Sequence, residues 1–253
     1  MASSSTFVSA FLLSYLTATA IGAAAAATTA DIDFQYLVLM WPGAYCKQSS
    51  NGCCYPETGK PELDFYVSAL WPASSDGSPL SYCNKIPFHI KEVSDIKESL
   101  ISYWPSIKCP SSGGRFVWKN TWNEYGVCSG LDVHDYFKKA LDLRAKIDLL
   151  SILKNNGIIS TDYADYSLSD VTKAINNGVG ANTGIDCAKN AWDESIIHEV
   201  YICVNKDATM IVSCPHFENS CASRVVFGSF TYDMLEKDSS VAKNPIRARV
   251  SLQ

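Results

Sequence analysis

Acid–base chemistry near neutral pH is the province of imidazoles, and the chain carries four: His89, His134, His198 and His216. They are scattered, and none stands beside a nucleophile in a pattern that would activate it. His198 is followed by Glu199, yet no second histidine comes at the spacing that lets two imidazoles grip zinc from one helix face. Gly178, Gly180 and Gly184 form a GxGxxxG string that reads as a polar loop. It lacks the strand before and the helix after that a phosphate cradle requires. Ten cysteines, Cys46, Cys53, Cys54, Cys83, Cys109, Cys128, Cys187, Cys203, Cys214 and Cys221, all fall after the first 45 residues. Their even number favours five disulfides in an exported chain, whereas the adjacent Cys53 and Cys54 and the lack of any CxxC pair argue against a metal site. No cofactor motif occurs.

The elements that would position these side chains can be read from pattern. Residues 1–27 form a leader with no charged side chain, apolar from Phe7 and closing on the small-residue run Gly22 to Ala27, which reads as a secretory signal peptide with an approximate cleavage point. Residues 31–253 then make a single domain. With 47% hydrophobic and 19% charged residues the chain can bury a core, and its net charge of -5 disfavours a partner held mainly through phosphates, DNA in particular. No Asn-x-Ser/Thr sequon is present, so no N-glycosylation is expected.

Phe34 to Trp41 reads as a buried strand ended by Pro42 and Gly43, residues 47–62 as a loop, and Phe65 to Trp71 as a second strand followed by a turn over Pro72 to Pro79. Helical spacing appears from Val93 to Trp104, stopped by Pro105. It recurs from Val133 to Leu153 as one long helix or two short ones, and from Leu168 to Ile175 behind a capping Ser167 or Ser169. Ile196 to Val204, Thr209 to Val212 and Val225 to Tyr232 read as strands. Strands at both ends and helices between them predict an α+β domain, an antiparallel sheet flanked by helices.

Two stretches carry a resemblance to a known family. Phe65 to Pro72 reads FYVSALWP and Val117 to Ser129 reads VWKNTWNEYGVCS. They resemble the two signature segments of the ribonuclease T2 family, Phe-x-Ile-His-Gly-Leu-Trp-Pro and Phe-Trp-x-His-Glu-Trp-x-Lys-His-Gly-Thr-Cys-Ser. LVLMWPGAYC from Leu37, with Met40 where the family commonly has Gln, YWPSIKCPSS from Tyr103, HDYFKKALDLR from His134 and EVYICVNKDATMIVSCP from Glu199 are similar to plant S-like members. The resemblance thus spans about Phe34 to Tyr232. It implies the ribonuclease T2 fold, and it implies disulfides Cys46–Cys53, Cys54–Cys109, Cys83–Cys128, Cys187–Cys221 and Cys203–Cys214.

It also implies a site that has lost its chemistry, as in catalytically degenerate, RNase-related members. The histidine of the first segment corresponds to Ser68, and the glycine after it to Ala69. The His, Glu, Lys and His of the second correspond to Asn120, Thr121, Glu124 and Tyr125. Ser and Asn do not exchange protons near neutral pH, Tyr titrates near 10, and Glu124 brings a negative charge where an anionic phosphate must become more negative. Each general acid or base is worth roughly 10² to 10⁴ in rate, so little turnover is expected to survive the loss of both. Trp71 and Trp122 remain as candidate stacking platforms for a base, with core packing as the alternative. The expectation is a secreted monomer of cell wall or vacuole, storage or stress-associated, with no membrane partner after leader removal. Residual RNA cleavage through a cyclic phosphate and weak nucleotide or RNA binding stand as alternatives.

Overall fold

The computed structural model describes residues 32–48, 52–215 and 217–235, so the expected leader and His216 lie outside the described residues. Among the described residues six strands and six α-helices follow one another as β1 (Phe34–Met40), α1 (Pro42–Gln48), β2 (Tyr66–Ala73), α2 (Lys97–Tyr103), α3 (Arg115–Glu124), α4 (Val133–Lys146), α5 (Leu149–Asn155), β3 (Asp165–Ser167), α6 (Leu168–Val179), β4 (Gly184–Lys189), β5 (Ser195–Asn205) and β6 (Arg224–Val226). The strands lie in the order β2-β1-β5-β6-β3, with β4 also paired to β5. All pairings are antiparallel except the single parallel contact of β5 with β6. This is the expected α+β architecture.

β1 is central and buried along six of its seven residues, which is why it reads as an unbroken apolar run instead of an alternating one. Its continuation, Trp41, sends the indole N–H to the Gly228 carbonyl at 2.7 Å. Pro42 then opens α1, a turn of helix missing from the sequence reading and seeded by a proline already set to a helical φ. The spacing between Val93 and Trp104 resolves into a 3-10 turn at Ile90–Val93 and α2, which stops short of Pro105. The stretch after Val133 is two helices, each with its own aspartate cap: Asp132 accepts from the Asp135 amide and Asp148 from the Ser151 amide. Ser167 caps α6 through the Asp170 amide.

Three expectations are corrected. The glycine string is not a loop: Gly178 lies within α6, Gly180 ends that helix at φ 78, and Gly184 opens β4. The apolar run at Thr209 to Val212 contributes only the isolated bridge Val204↔Ile211 to the sheet, because Asn205 folds the chain into a turn by accepting from the Thr209 and Met210 amides. Pairing with β3 engages only Arg224–Val226, so the strand expected to reach Tyr232 is short; Phe227 and Phe230 instead pack their rings around Trp41.

The helices cover one face of the sheet, where Leu37, Leu39, Leu70, Val200 and Ile202 join Trp104, Trp118, Trp122, Tyr136 and Phe137 in the main core. The other face is nearly bare of helices and holds a small aromatic cluster of Phe34, Tyr36 and Tyr201, flanked by Trp71 and Phe217. All five disulfides implied by the resemblance are formed. Among the described residues no helix is long and apolar enough to cross a membrane.

Candidate functional site

The residues matching the two signature segments converge where β2 meets the C-terminal end of α3. Opposite the Val38–Leu39 step, β2 carries one residue too many: Val38 pairs with Ala69 and Leu39 with Val67. The extra residue is Ser68, so the position of the first signature histidine is the unpaired residue of a β-bulge. A bulge bends its strand and re-aims the side chain it carries. β2 is held at this level by Tyr136 of α4, whose hydroxyl donates to the Leu70 carbonyl at 3.0 Å and accepts from the Leu70 amide at 3.2 Å.

No sequence pattern announces α3 (Arg115–Glu124). It forms because Trp118, Thr121 and Trp122 fall three and four residues apart and bury one stripe against the core. Trp122 is fully buried and its indole N–H donates to the Ile86 carbonyl at 2.8 Å, leaving no free face for a base; it is a core residue. A Cβ on Gly126 would stand 2.2 Å from the Trp122 ring, so only glycine permits the turn after the helix. The Cys83–Cys128 disulfide pins that turn to the loop beyond β2. Asn120 projects from the exposed side of α3, while the Thr121 hydroxyl is consumed by the Val117 carbonyl one turn back at 3.0 Å.

Tyr125, which ends α3, stacks on Trp71 with ring centroids 5.1 Å apart and planes 29° from parallel. Tyr201 of β5 meets the same indole edge-on at 5.6 Å. The phenol of Tyr201 donates to Glu199 at 2.6 Å, and Glu199 faces Asp186 across the β4–β5 pair. Burial pushes the Tyr125 hydroxyl well above the usual phenol range, and its hydrogen bond to the Glu124 carboxylate with the nearby charge of Glu199 pushes it further. Tyr201 is raised in the same way, by burial first and then by Glu199 and Asp186. Among the described residues, no basic side chain forms an ion pair with Glu124, Glu199 or Asp186. The cleft is therefore aromatic, acidic and filled by its own side chains.

The described histidines do not replace the missing ones. His89 is exposed before the 3-10 turn, and His134 in the first turn of α4 is bonded to Asp95 at 3.0 Å. His198 is the extra residue of a second bulge, on β5 opposite Asp186 and Cys187, with its Nε2 buried. Sequence reasoning missed Glu199, Tyr201 and Asp186 as parts of the cleft. The signal was present for two of them: on a strand read as Ile196 to Val204, period-two alternation puts Glu199 and Tyr201 on one face.

Comparison with known proteins agrees with this geometry. The sequence model of the family described as "Ribonuclease T2 family" matches residues 32–214. Ribonuclease 3 of Arabidopsis thaliana is 41% identical over 204 residues, 79% of this chain and 91% of that protein. A ribonuclease-like storage protein of Panax ginseng is 31% identical over 181 residues, 71% of this chain and 74% of that protein. The crystal structure of RNase NT in complex with 5'-AMP superposes with a TM-score of 0.75 at 39% identity, covering 79% of this chain and 100% of that one. The chain belongs to the ribonuclease T2 family.

Proposed function

We propose that this chain keeps the ribonuclease scaffold without efficient RNA cleavage and acts as a secreted, monomeric protein of cell wall or vacuole with a storage or stress-associated role. The observation that carries the reading is the stack of Tyr125 on Trp71, with Glu124 next to it, where the family signature has its second histidine and its lysine. Cleavage through a cyclic phosphate needs a base on the ribose 2'-hydroxyl, an acid on the departing 5'-oxygen and positive charge beside the phosphorane. Ser68 and Asn120 supply neither proton transfer. Tyr125, with its pKa driven upward, moves further from a working acid–base range, and Glu124 opposes the charge that must develop. Resemblance to the ginseng storage protein supports accumulation as the role.

A second reading, weak nucleotide or RNA binding, is favoured by one observation: RNase NT, whose fold this chain shares, was crystallised with 5'-AMP. Trp71 is the platform left to it, and Tyr125 occupies the stack.

The test is an assay of the purified chain on single-stranded RNA at mildly acidic pH beside two variants, Ser68→His/Asn120→His and the same pair with Glu124→Lys and Tyr125→His. No cyclic-phosphate product is expected from the unmodified chain, and more from the fourfold than from the twofold variant. Product from the unmodified chain that persists through a second affinity purification overturns the reading.

A further inference from the structure

Next to the aromatic cluster, whose Phe217 it shares, α6 and β4 border an open groove of about 720 Å³ that runs into a hollow of about 310 Å³, the two sharing Leu168, Thr172, Asn176 and Asn182 as walls. Both volumes fall in the roughly 300–1,000 Å³ span of small-molecule sites. The lining mixes amide and hydroxyl side chains with the apolar Leu168, Ile185 and Phe217, and among the described lining residues there is no carboxylate and one cation, Lys173. A phosphate-bearing ligand would find too little positive charge here, and a hydrocarbon too many polar groups to desolvate.

The polar groups are pre-set. The Asn176 side-chain oxygen accepts from both the amide and the hydroxyl of Thr183, at 2.9 and 2.8 Å, which fixes the carboxamide and leaves its two N–H donors without a partner among the described residues. Asn219 is fixed alike, its oxygen accepting from the Cys221 amide at 3.1 Å. An apolar floor lies beneath: the ring of Phe217 rests on Gly184, where a Cβ would stand 2.6 Å from it. Two disulfides, Cys203–Cys214 and Cys187–Cys221, tie Cys214 and Cys221 to β5 and β4 beside these walls. The glycine string that formed no phosphate cradle thus has a use, with Gly180 ending α6 and Gly184 admitting the ring.

Oriented amide donors, free hydroxyls that both donate and accept, and a flat apolar ring form the complement of a pyranose, whose vicinal hydroxyls ring an apolar C–H face. We propose that this groove binds a neutral oligosaccharide, independently of any action on RNA. Saturation-transfer NMR on the mature chain with maltotriose, cellotriose and triacetylchitotriose, each at millimolar concentration, provides the test, with trialanine and 5'-AMP as competing probes. Transfer to at least one saccharide is expected, weakened tenfold or more by Asn176→Ala and abolished by Thr172→Trp, which fills the mouth from the surface of α6. Near-UV circular dichroism checks that each variant is folded. Absence of transfer from all three saccharides overturns the proposal, as does saccharide binding that survives Thr172→Trp in a folded variant, or transfer confined to trialanine or 5'-AMP.

Discussion

The two faces of the sheet have different contents. Behind β1 and β2 the helices pack Trp104, Trp118, Trp122, Tyr136 and Phe137 into a continuous core in which every signature tryptophan of the second segment has a structural role. In front, the open face carries a bulged serine, a tyrosine lying on Trp71 and three carboxylates that form no ion pair among the described residues. Folding and chemistry in this scaffold are thus borne by separable sets of side chains. On the proposed reading, polar residues at the signature positions of the open face take proton transfer away while burial, capping and disulfides stay intact.

The separation is sharpest if the helix-covered face is truncated. Trp122→Ala deletes a fully buried indole and strands the Ile86 carbonyl, and a loss of about 3–5 kcal/mol is expected. Urea unfolding should show a lowered midpoint with an unchanged slope. A cost below about 1 kcal/mol would mean that the core does not rely on this ring and that the two faces are less distinct than drawn. Tyr136→Phe is next. It leaves the buried Leu70 amide and carbonyl unpaired, for which about 1–3 kcal/mol is expected in the same experiment. Phenylalanine preserves the ring contacts with Trp104 and Trp122, so the difference isolates the hydroxyl.

These two residues also mark how far the sequence could be read. Tyr136 and Phe137 sit on a helix whose spacing is legible from Val133 onward, because amphipathic periodicity and an aspartate cap act locally. Trp122 belongs to α3, which escaped notice because Asn120, Thr121 and Asn123 are poor helix formers. The helix is held by burial of its Trp118 and Trp122 stripe, a tertiary effect. Glu199 and Tyr201 leave a trace in strand alternation, whereas the signature positions of the cleft, Ser68, Asn120, Glu124 and Tyr125, are legible only through the resemblance. What it could not supply was their mutual placement: the bulge at Ser68 arises from register with β1, and the Tyr125–Trp71 stack joins residues 54 positions apart in sequence, a contact fixed only by how α3 docks on β2. The β3 and β4 strands were likewise invisible, being short or polar and defined by partners far along the chain.

On the open face the expected effects are smaller. Tyr125→Ala removes one half-buried stack, worth about 0.5–1.5 kcal/mol beyond its buried area, and uncovers Trp71. In tryptophan emission, the difference between this variant and its Trp71→Phe counterpart should move to longer wavelength, and 5'-AMP at millimolar concentration should quench it. An unshifted difference spectrum would place Tyr125 off the indole in solution and restore a free platform to the cleft.

The smallest effect concerns His134, which both faces leave at the rim of α4. Its hydrogen bond to Asp95 raises the imidazole pKa above the ordinary value and lowers that of Asp95. A raised histidine pKa stabilises the fold fully below the unfolded value near 6.5 and loses that contribution as pH climbs through the folded one. The lowered aspartate works in the opposite sense, contributing above its unfolded value near 3.9 and fading as pH falls through the folded one. The pair therefore helps only between those limits, in mildly acidic solution. Both side chains are substantially solvated, so screening keeps the gain small. His134→Gln should lower the melting temperature slightly at mildly acidic pH and leave it unchanged in alkaline buffer, whereas a drop of equal size at both would show that the residue contributes packing instead of charge. Cleavage of RNA should be indifferent to the substitution at every pH, since a dependence there would bring this imidazole into the cleft and undo the division between the two faces.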